Sequence, residues 1–400
     1  MRKIRILSVV GARPNFMKMA PVLRELSKYA DFECCLVHTG QHYDDSMSRV
    51  FFDDLGMPNP DFNLTVGSAS HAVQTADIMK RFEEVCDSIK PNLVIVGGDV
   101  NSTLACSLTA AKLQISVAHI ESGLRSFDRS MPEEINRIVT DSVSDFLFTT
   151  EESGNLNLRR EGVGEEKIHF VGNTMIDSLV YCRELLDRTP ADGPIAALNG
   201  APYFLATIHR PSNVDDPAQL LQVLQILESA SRLAPLFFVT HPRTHSQLQR
   251  VEGASRLIEL NGGVREIRDG FVYLLPPLPY LEFLRIMSNC KAVLTDSGGI
   301  QEETTFMGIP CLTMRNNTER PITVELGTNQ IVGLQRENII ACLHRIMRGE
   351  RSDASTPPLW DGRAAERVVD ILRNSFGQLG IVSDPRKTFT KSNFKGEIDS

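Results

Sequence analysis

The sequence lacks the motifs that mark several common enzyme and membrane classes. None of its apolar runs is long enough to cross a bilayer. No G-x-G-x-x-G follows the first predicted strand and no P-loop occurs, so we expect neither NAD nor ATP as a cofactor. It also has no HExxH zinc motif and no G-x-S-x-G nucleophile elbow. We therefore expect a protein without a cofactor or metal, outside the serine hydrolases.

Paired cysteine motifs are also missing, although the chain has 8 cysteines. None forms a C-x-x-C pair, and most lie in apolar segments such as FECCLV and IPCLTM. This usage predicts small core residues of a reduced, cytoplasmic protein. The basic and apolar start, MRKIRILSVVGARPNF, superficially resembles a signal peptide. Its apolar run is too short and leads into a charged helix, so it predicts a first β-strand.

A strong excess of one charge is absent as well. The net charge is -8 over 400 residues, with 42% hydrophobic and 23% charged residues. This balance gives no general attraction to nucleic acid or to an anionic membrane, and we expect neither as a partner. An anionic ligand would have to be bound by a few locally placed Arg and Lys side chains. The length allows two domains with separate cores.

Short β-branched segments alternate with amphipathic segments along most of the chain. In the first half they are KIRILSVV, FECCLVHT, NLVIVGGD, ISVAHIE, DFLFTT and KIHFVG, and in the second YFLATIH, LFFVTH, FVYLLPP, KAVLTDSGG, IPCLTMR and NQIVG. The pattern predicts an α/β fold with two doubly wound, Rossmann-like domains facing a cleft. We place the domains at 1–173 and 174–361, with a helix at about 362–378 that could pack back on the first. Residues 383–400 have almost no apolar content, which predicts a mobile tail.

Unusual polar residues follow nearly every predicted strand. They are Arg13 and Lys18 after the first strand, Asp99, Glu121, His209, Arg210 and His241 after later ones, and then the DSGG turn (296–299) and Arg320. In open parallel sheets, ligands bind beyond the carboxyl ends of the strands. We therefore expect these groups to line the facing edges of one cleft. Each histidine could instead be a strand-end residue bonded to the backbone.

Three acidic residues of the first half are candidates for acid/base chemistry. Ser130 and Glu133 fit the S-x-x-E capping box, so Glu133 could simply start a helix. That alternative does not account for Glu121 or Asp99, which directly follow two predicted strands. Converging carboxylates repel one another and raise their pKa values, which is costly unless proton transfer is the purpose. We therefore favour acid/base chemistry.

The cationic residues predict an anion site. Arg13 and Lys18 lie near a predicted helix N-terminus, where backbone N–H groups attract an anion, although taken alone such residues are more often solvated surface cations. The turn at 296–299 enters another helix and suits close approach of a phosphate, although glycines at such turns are often purely conformational. Arg320 is similarly ambiguous alone. Together, the turn and Arg320 predict an anion pocket on the second domain.

Seven motifs of the chain together resemble one family. GARPNFMKMAPV, HTGQHYD, GGDVNSTLA, HIESGLRSFDRSMPEEINR, TIHRPSN, TDSGGIQEE and RNNTERP, in this order, closely resemble the non-hydrolysing UDP-N-acetylglucosamine 2-epimerases over about residues 4 to 375. The resemblance implies the two-domain, GT-B-type fold shared with many nucleotide-sugar glycosyltransferases. It also implies a UDP-sugar substrate, an active site in the interdomain cleft, a homodimer and a place in surface polysaccharide supply.

The resemblance implies a mechanism and a set of site residues. UDP is eliminated across C1 and C2 of the sugar, giving a 2-acetamidoglucal, and is added back with the proton delivered to the opposite face of C2. Asp99, Glu121 and Glu133 match the family's catalytic carboxylates, with acid and base unassigned, and His209 matches a histidine near the leaving UDP. The implied substrate contacts are Arg13, Lys18, Phe283, Ser297, Gly298, Gly299, Glu303 and Arg320.

Regulation and the exact substrate are left open by the sequence. Gln41, His42, Arg210 and His241 match positions through which a second substrate molecule activates many bacterial relatives. The segment 66–70 lacks the accompanying arginine, which argues against that regulation. The sugar could also carry modifications at C3 or C6. A glycosyltransferase of the same fold would not need three converging carboxylates, and a silent UDP-sugar sensor would have lost them.

Overall fold

The computed structural model of the protein describes residues 3–40, 52, 54–187, 198, 200–248, 251, 256–260, 267–350 and 353–378. The side chain of Arg13 is not part of this description. Gln41, His42 and the predicted tail at 383–400 also lie outside the described residues. The predictions made for them stay predictions.

The first half of the described chain forms a parallel sheet of seven strands in the order β3-β2-β1-β4-β5-β6-β7. The strands are β1 (Ile4–Val10), β2 (Phe32–His38), β3 (Phe62–Asn63), β4 (Leu93–Gly97), β5 (Ser116–Ser122), β6 (Phe146–Thr149) and β7 (Ile168–Phe170). The helices are α1 (Arg13–Leu26), α2 (His71–Ile89), α3 (Asn101–Lys112), α4 (Pro132–Val143) and α5 (Glu152–Arg160), with a 3-10 turn at Glu165–Lys167.

The second half repeats this architecture with seven described parallel strands in the order β10-β11-β9-β8-β12-β13-β14. The strands are β8 (Phe204–Thr207), β9 (Leu236–Val239), β10 (Leu257–Glu259), β11 (Val272–Leu275), β12 (Ala292–Thr295), β13 (Cys311–Thr313) and β14 (Asn329–Ile331). The helices are α6 (Thr174–Leu186), α7 (Pro211–Val214), α8 (Pro217–Ser231), α9 (Pro242–Leu248), α10 (Tyr280–Ser288), α11 (Gly298–Met307), α12 (Pro321–Glu325), α13 (Arg336–Met347) and α14 (Ala364–Gln378).

The central strands are apolar along their whole length because helices cover both faces of each sheet. Every residue of β4 (LVIVG), β9 (LFFV) and β12 (AVLT) is buried. Such continuous runs are typical of parallel strands and explain why the sequence pattern identified them.

The strand order of each sheet reverses once. In the first sheet the reversal lies between β1 and β4, and in the second between β8 and β12. A crevice opens beyond the carboxyl ends of the strands at such a point. Residues that follow these four strands are therefore the ones most favourably placed to bind a ligand.

Two helices connect the halves. Helix α6 packs against α1 of the first half and against α10 and α11 of the second. Helix α14, at the end of the described chain, packs against α1 and α6. Asp177 of α6 accepts hydrogen bonds from the backbone N–H groups of Ala364 (3.1 Å) and Ala365 (2.7 Å), which fixes the start of α14. The apolar face of α14 is buried in the same core as α1 and comprises Val368, Val369, Leu372 and Phe376.

The cysteines are all free thiols; Cys34 and Cys35 are half-buried, and the remaining six are buried. No helix among the described residues is long and apolar enough to span a membrane.

Candidate active site

Glu121 sits on unusual backbone at the end of β5. Its φ of 70° lies in the left-handed region, which non-glycine residues rarely adopt and which costs about 1–3 kcal/mol. The pairing of β5 with β6 also shifts register between Ile120 and Ser122, so Glu121 occupies a bulge. Strained backbone of this kind persists only where the surroundings hold it, and it directs the Glu121 carboxylate out of the regular strand pattern.

The carboxylate of Glu121 joins the two halves of the protein. It accepts from Lys18 Nζ at 2.8 Å on the first-half side and from Arg320 Nη2 at 3.0 Å on the second-half side. Arg320 Nε lies 3.1 Å from Glu302 Oε1, and Asn173 Nδ2 donates to the same oxygen at 2.9 Å. These side chains are all buried, so the ion pairs act in a medium of low polarity. Lys18 and Arg320, which were both predicted from the sequence, therefore contact the same predicted carboxylate, Glu121.

Asp99 follows β4 and is paired with Arg137 of α4. Burial alone raises the pKa of this carboxyl, but Arg137, Lys18 and Arg320 outweigh it and hold the pKa well below its usual range. The expectation of a raised pKa is therefore wrong for Asp99, because three cations surround its carboxylate. Asn136 fixes the backbone by donating to the Asp99 carbonyl oxygen at 2.9 Å.

Glu133 lies half-buried in the first turn of α4. The capping box proposed for it does not form, because the helix is capped by Met131 and the Ser130 hydroxyl instead donates to Asp128 at 2.6 Å. Its neighbour Glu134 accepts from two backbone N–H groups of the preceding loop, each at 2.9 Å, and is fully buried. Glu134 thus orders the loop, and Glu133 is left without the structural role that competed with a catalytic one.

The second half contributes a histidine at the end of β8. Asp296, fully buried after β12, accepts from the backbone N–H groups of His209 and Arg210 and from Asn213 Nδ2. His209 Nδ1 lies 3.3 Å from Asp296, and its ring centroid lies 6.0 Å from that of His241. Burial lowers the pKa of His209, and nearby guanidinium groups add to this against the pull of Asp296. The imidazole is therefore neutral at neutral pH.

A helix N-terminus faces Arg320. Ser297 precedes the first turn of α11, in which a Cβ on Gly298 would lie 3.9 Å from Arg320 Cζ. A Cβ on Gly299 would come within 3.1 Å of Met175 Cε, so glycine allows the close packing of α6 on this turn. Ser297 N donates to Thr295 Oγ1 at 3.0 Å, and the N–H groups of the first helical turn that follow it have no partner within the helix. Such groups beside a guanidinium are suited to a phosphate.

The remaining predicted contacts, Glu303 and Phe283, lie on the adjacent helices α11 and α10. Glu303 of α11 accepts from the Tyr280 hydroxyl at 2.8 Å, and Phe283 of α10 is buried in the adjoining core. Among the described residues, no group of three His, Cys, Asp or Glu side chains is arranged to hold a metal ion.

Sequence reasoning missed two buried acids near Arg320 whose pKa values are raised. Glu151 follows β6, and burial raises its pKa to about 7. The pKa of Glu302 is also raised, mainly by burial. The strand-end rule that identified Asp99 and Glu121 would also have selected Glu151, whereas nothing in the sequence distinguishes Glu302 from its neighbour Glu303.

Two Rossmann-like domains, joined by the Glu121–Arg320 ion pair, form a two-domain α/β fold of the GT-B type. A lipopolysaccharide outer core galactosyltransferase shares this fold, with a TM-score of 0.51 at 12% identity, covering 93% of this chain and 100% of that one. The family model for UDP-N-acetylglucosamine 2-epimerase matches residues 24–373. The protein belongs to this family, and the predictions of the family, the fold class and an isomerase are confirmed.

Several relatives align over nearly their whole length. A UDP-N-acetylglucosamine 2-epimerase homolog from Methanococcus maripaludis is 40% identical over 93% of this chain and 100% of its own. The structure of Methanocaldococcus jannaschii UDP-GlcNAc 2-epimerase in complex with UDP-GlcNAc and UDP has a TM-score of 0.82 at 37% identity, covering 93% of this chain and 100% of that one. UDP-2,3-diacetamido-2,3-dideoxy-D-glucuronate 2-epimerase from Pseudomonas aeruginosa is 37% identical over 92% of this chain and 99% of its own.

Proposed function

We propose that the protein interconverts UDP-N-acetylglucosamine and UDP-N-acetylmannosamine, by eliminating UDP to a 2-acetamidoglucal and adding it back to the other face. The observation that carries the proposal is the contact of Glu121, from the first sheet, with Lys18 and with Arg320 beside the α11 N-terminus. It brings a carboxylate next to the groups best suited to hold a diphosphate. Crystallisation of the M. jannaschii relative with UDP-GlcNAc and UDP supports a UDP-sugar as the ligand.

The chemistry explains why several acids are needed. Removing a proton from C2 and returning one to the opposite face requires a base on one side of the sugar and an acid on the other. Asp99 is ionised at neutral pH, so in the free protein it can accept a proton and cannot donate one. Glu121 and Glu133 are the other two candidates for proton transfer.

The departing UDP needs cations and backbone N–H groups. Lys18, Arg320 and the turn at 297–299 supply both, and the neutral imidazole of His209 lies at the end of the neighbouring strand. An incoming diphosphate would compete with Glu121 for Lys18 and Arg320. Substrate binding would therefore release the Glu121 carboxylate from these two cations and leave it available to the sugar.

The decisive experiment is incubation with UDP-N-acetylglucosamine in D2O, followed by NMR. We expect deuterium at C2 and a mixture of the gluco and manno epimers without added NAD or metal. Binding without deuterium wash-in would instead indicate a UDP-sugar sensor, and transfer of the sugar to an acceptor would indicate a glycosyltransferase.

Three isosteric substitutions test the acids separately. Asp99→Asn, Glu121→Gln and Glu133→Gln should each reduce turnover by at least ~10²-fold, because each removes a group that moves a proton or holds one that does. Full activity in Glu133→Gln would exclude Glu133 from the chemistry and leave the other two assignments standing.

A modified sugar is the second candidate substrate. The P. aeruginosa relative, named for a diacetamido glucuronate sugar, is almost as similar to this chain as the UDP-N-acetylglucosamine 2-epimerases. A side-by-side measurement of kcat/KM on the two UDP-sugars decides between them. A homodimer and a cytoplasmic role in polysaccharide supply belong to the proposal and are tested by the solution mass and by disruption of the gene.

A further inference from the structure

A fully buried histidine lies beside the candidate carboxylates without being one of the groups assigned above. His119 of β5 has both ring nitrogens within hydrogen-bond distance of oxygen atoms. Nδ1 lies 2.7 Å from Asp141 Oδ1, and Nε2 lies 2.8 Å from the carbonyl oxygen of Gly98. A backbone carbonyl can only accept, so Nε2 must donate to it.

The second partner is an acceptor as well. Burial raises the pKa of Asp141, but its bonds with His119 and Arg125 outweigh this and lower the pKa overall. Asp141 Oδ2 accepts from Gly123 N at 3.0 Å and lies 2.7 Å from Arg125 Nη1. An ionised Asp141 leaves Nδ1 as the donor, so the His119 ring carries a proton on each nitrogen while these bonds are made.

Gly98, His119 and Asp141, which this chain of hydrogen bonds connects, belong to the three elements that carry the candidate acids. Gly98 immediately precedes Asp99 at the end of β4, and His119 lies two residues before Glu121 on β5. Asp141 lies on α4, whose first turn contains Glu133. Asn136 and Arg137 of α4 also bond Asp99, and Gly98 N donates to the carbonyl oxygen of Ile120 at 3.0 Å. The His119 chain adds a fully buried link that joins β4, β5 and α4 through one side chain.

The local backbone depends on such a link. Gly98, Glu121 and Gly123 all have positive φ values, of 68°, 70° and 80°. The bonds from His119 to Gly98 and from Gly123 to Asp141 fix the backbone immediately before Asp99 and two residues after Glu121. Glycine adopts positive φ freely, so only the conformation of Glu121 is costly, and it persists because surrounding contacts hold it.

We propose that His119 and Asp141 are positioning residues. They hold Asp99, Glu121 and Glu133 at the relative positions that proton transfer requires. This deepens the proposed function and rests on it. Neither residue touches the sugar; both act through the peptide groups and the helix that they hold. Because a displacement of about 1 Å at a reacting group can cost ~10²-fold in rate, loss of the link should reduce kcat far more than it alters KM.

The test compares Asp141→Asn and His119→Gln with Asp177→Asn. Asp177 is the control, since it is likewise a buried aspartate bonded to backbone N–H groups, but its partners are Ala364 and Ala365 at the start of α14. The assay measures kcat, KM and the amount of glycal and UDP released per epimerisation event by NMR. A misplaced acid should slow re-addition of UDP and allow the intermediate to escape, which a general loss of stability would not do.

We expect a fall in kcat of roughly 10- to 100-fold, a KM within about threefold of wild type and a rise in released glycal for both site variants. The control should lose stability and keep wild-type kcat and glycal release. Wild-type kcat in both site variants, or equal losses in Asp177→Asn, would overturn the positioning role. If one site variant does not fold, the other decides.

A second measurement does not depend on the substrate. In protein labelled with ¹⁵N-histidine, His119 should show two protonated, slowly exchanging ring nitrogens, assigned by their disappearance in His119→Gln. The signals should be lost or should exchange rapidly in Asp141→Asn and persist in Asp177→Asn. A single ring proton on His119 would refute the hydrogen-bonded link between Gly98, His119 and Asp141. A wild-type protein that shows both ring protons but epimerises no UDP-sugar would refute the proposed function and leave the link unaffected.

Discussion

Glu151 offers a quantitative test of the electrostatics where the two domains meet. Its carboxyl is fully buried, accepts from Ser153 Oγ at 2.5 Å and is also bonded by the backbone N–H of Ile322 from the second domain. Burial raises its pKa from 4.5 to about 7. Between these two pH values the folded protein holds a proton that the unfolded chain has released, so the free energy of unfolding falls as the pH rises through this window. At about 1.4 kcal/mol for each tenfold change in proton affinity, the loss amounts to about 3 kcal/mol.

Glu151→Gln keeps the size of the side chain and stays neutral at all pH values. We expect the variant to match wild type near about pH 5 and to be more stable by up to about 3 kcal/mol near about pH 8. Urea denaturation at several pH values between these limits measures the difference. Glu152→Gln is the control, since the neighbouring carboxylate is 56% exposed and its replacement should not give a gain of this size near about pH 8. A pH-independent difference for Glu151→Gln, or a variant less stable than wild type at the higher pH, would refute the reasoning.

Two further substitutions test the geometry around the candidate acids. Gly98→Ala should destabilise the fold by about 1–2 kcal/mol and reduce kcat/KM, because φ is 68° and the new Cβ would lie 2.7 Å from Lys18 Nζ. The control is Gly377→Ala, where a Cβ meets nothing within 4 Å. Both variants are compared with wild type in the same denaturation and kinetic assays. Arg320→Lys should raise the Kd of UDP by at least ~10-fold in calorimetry, since one ammonium cannot replace the guanidinium that contacts two carboxylates. Unchanged UDP affinity would remove Arg320 from the proposed diphosphate site.

Most of the sheet architecture could be predicted from the sequence because buried parallel strands must be apolar on both faces. Two strands were not predicted, at Phe62–Asn63 and Leu257–Glu259. They lie at the edges of the sheets, have only two or three residues and are half-exposed, so their side chains leave no apolar run to detect.

The site was only partly predictable for a different reason. Strand-end positions identified Asp99 and Glu121, but their partners are remote in sequence: Arg137 is 38 residues from Asp99, and Arg320 is 199 residues from Glu121. Counting acids without these cations gave the wrong direction for the pKa of Asp99. The left-handed backbone at Glu121 also has no sequence signal, because glycine, the usual marker of that conformation, is absent there.

The return of α14 to the first domain has a consequence for synthesis of the chain. Helix α1 emerges from the ribosome first, yet part of the core that covers it comes from residues as late as Phe376. The second domain is translated in between. The first domain can therefore complete its packing only after nearly the whole polypeptide has been made, and truncations before Ala364 should yield a first domain that aggregates through the exposed face of α1.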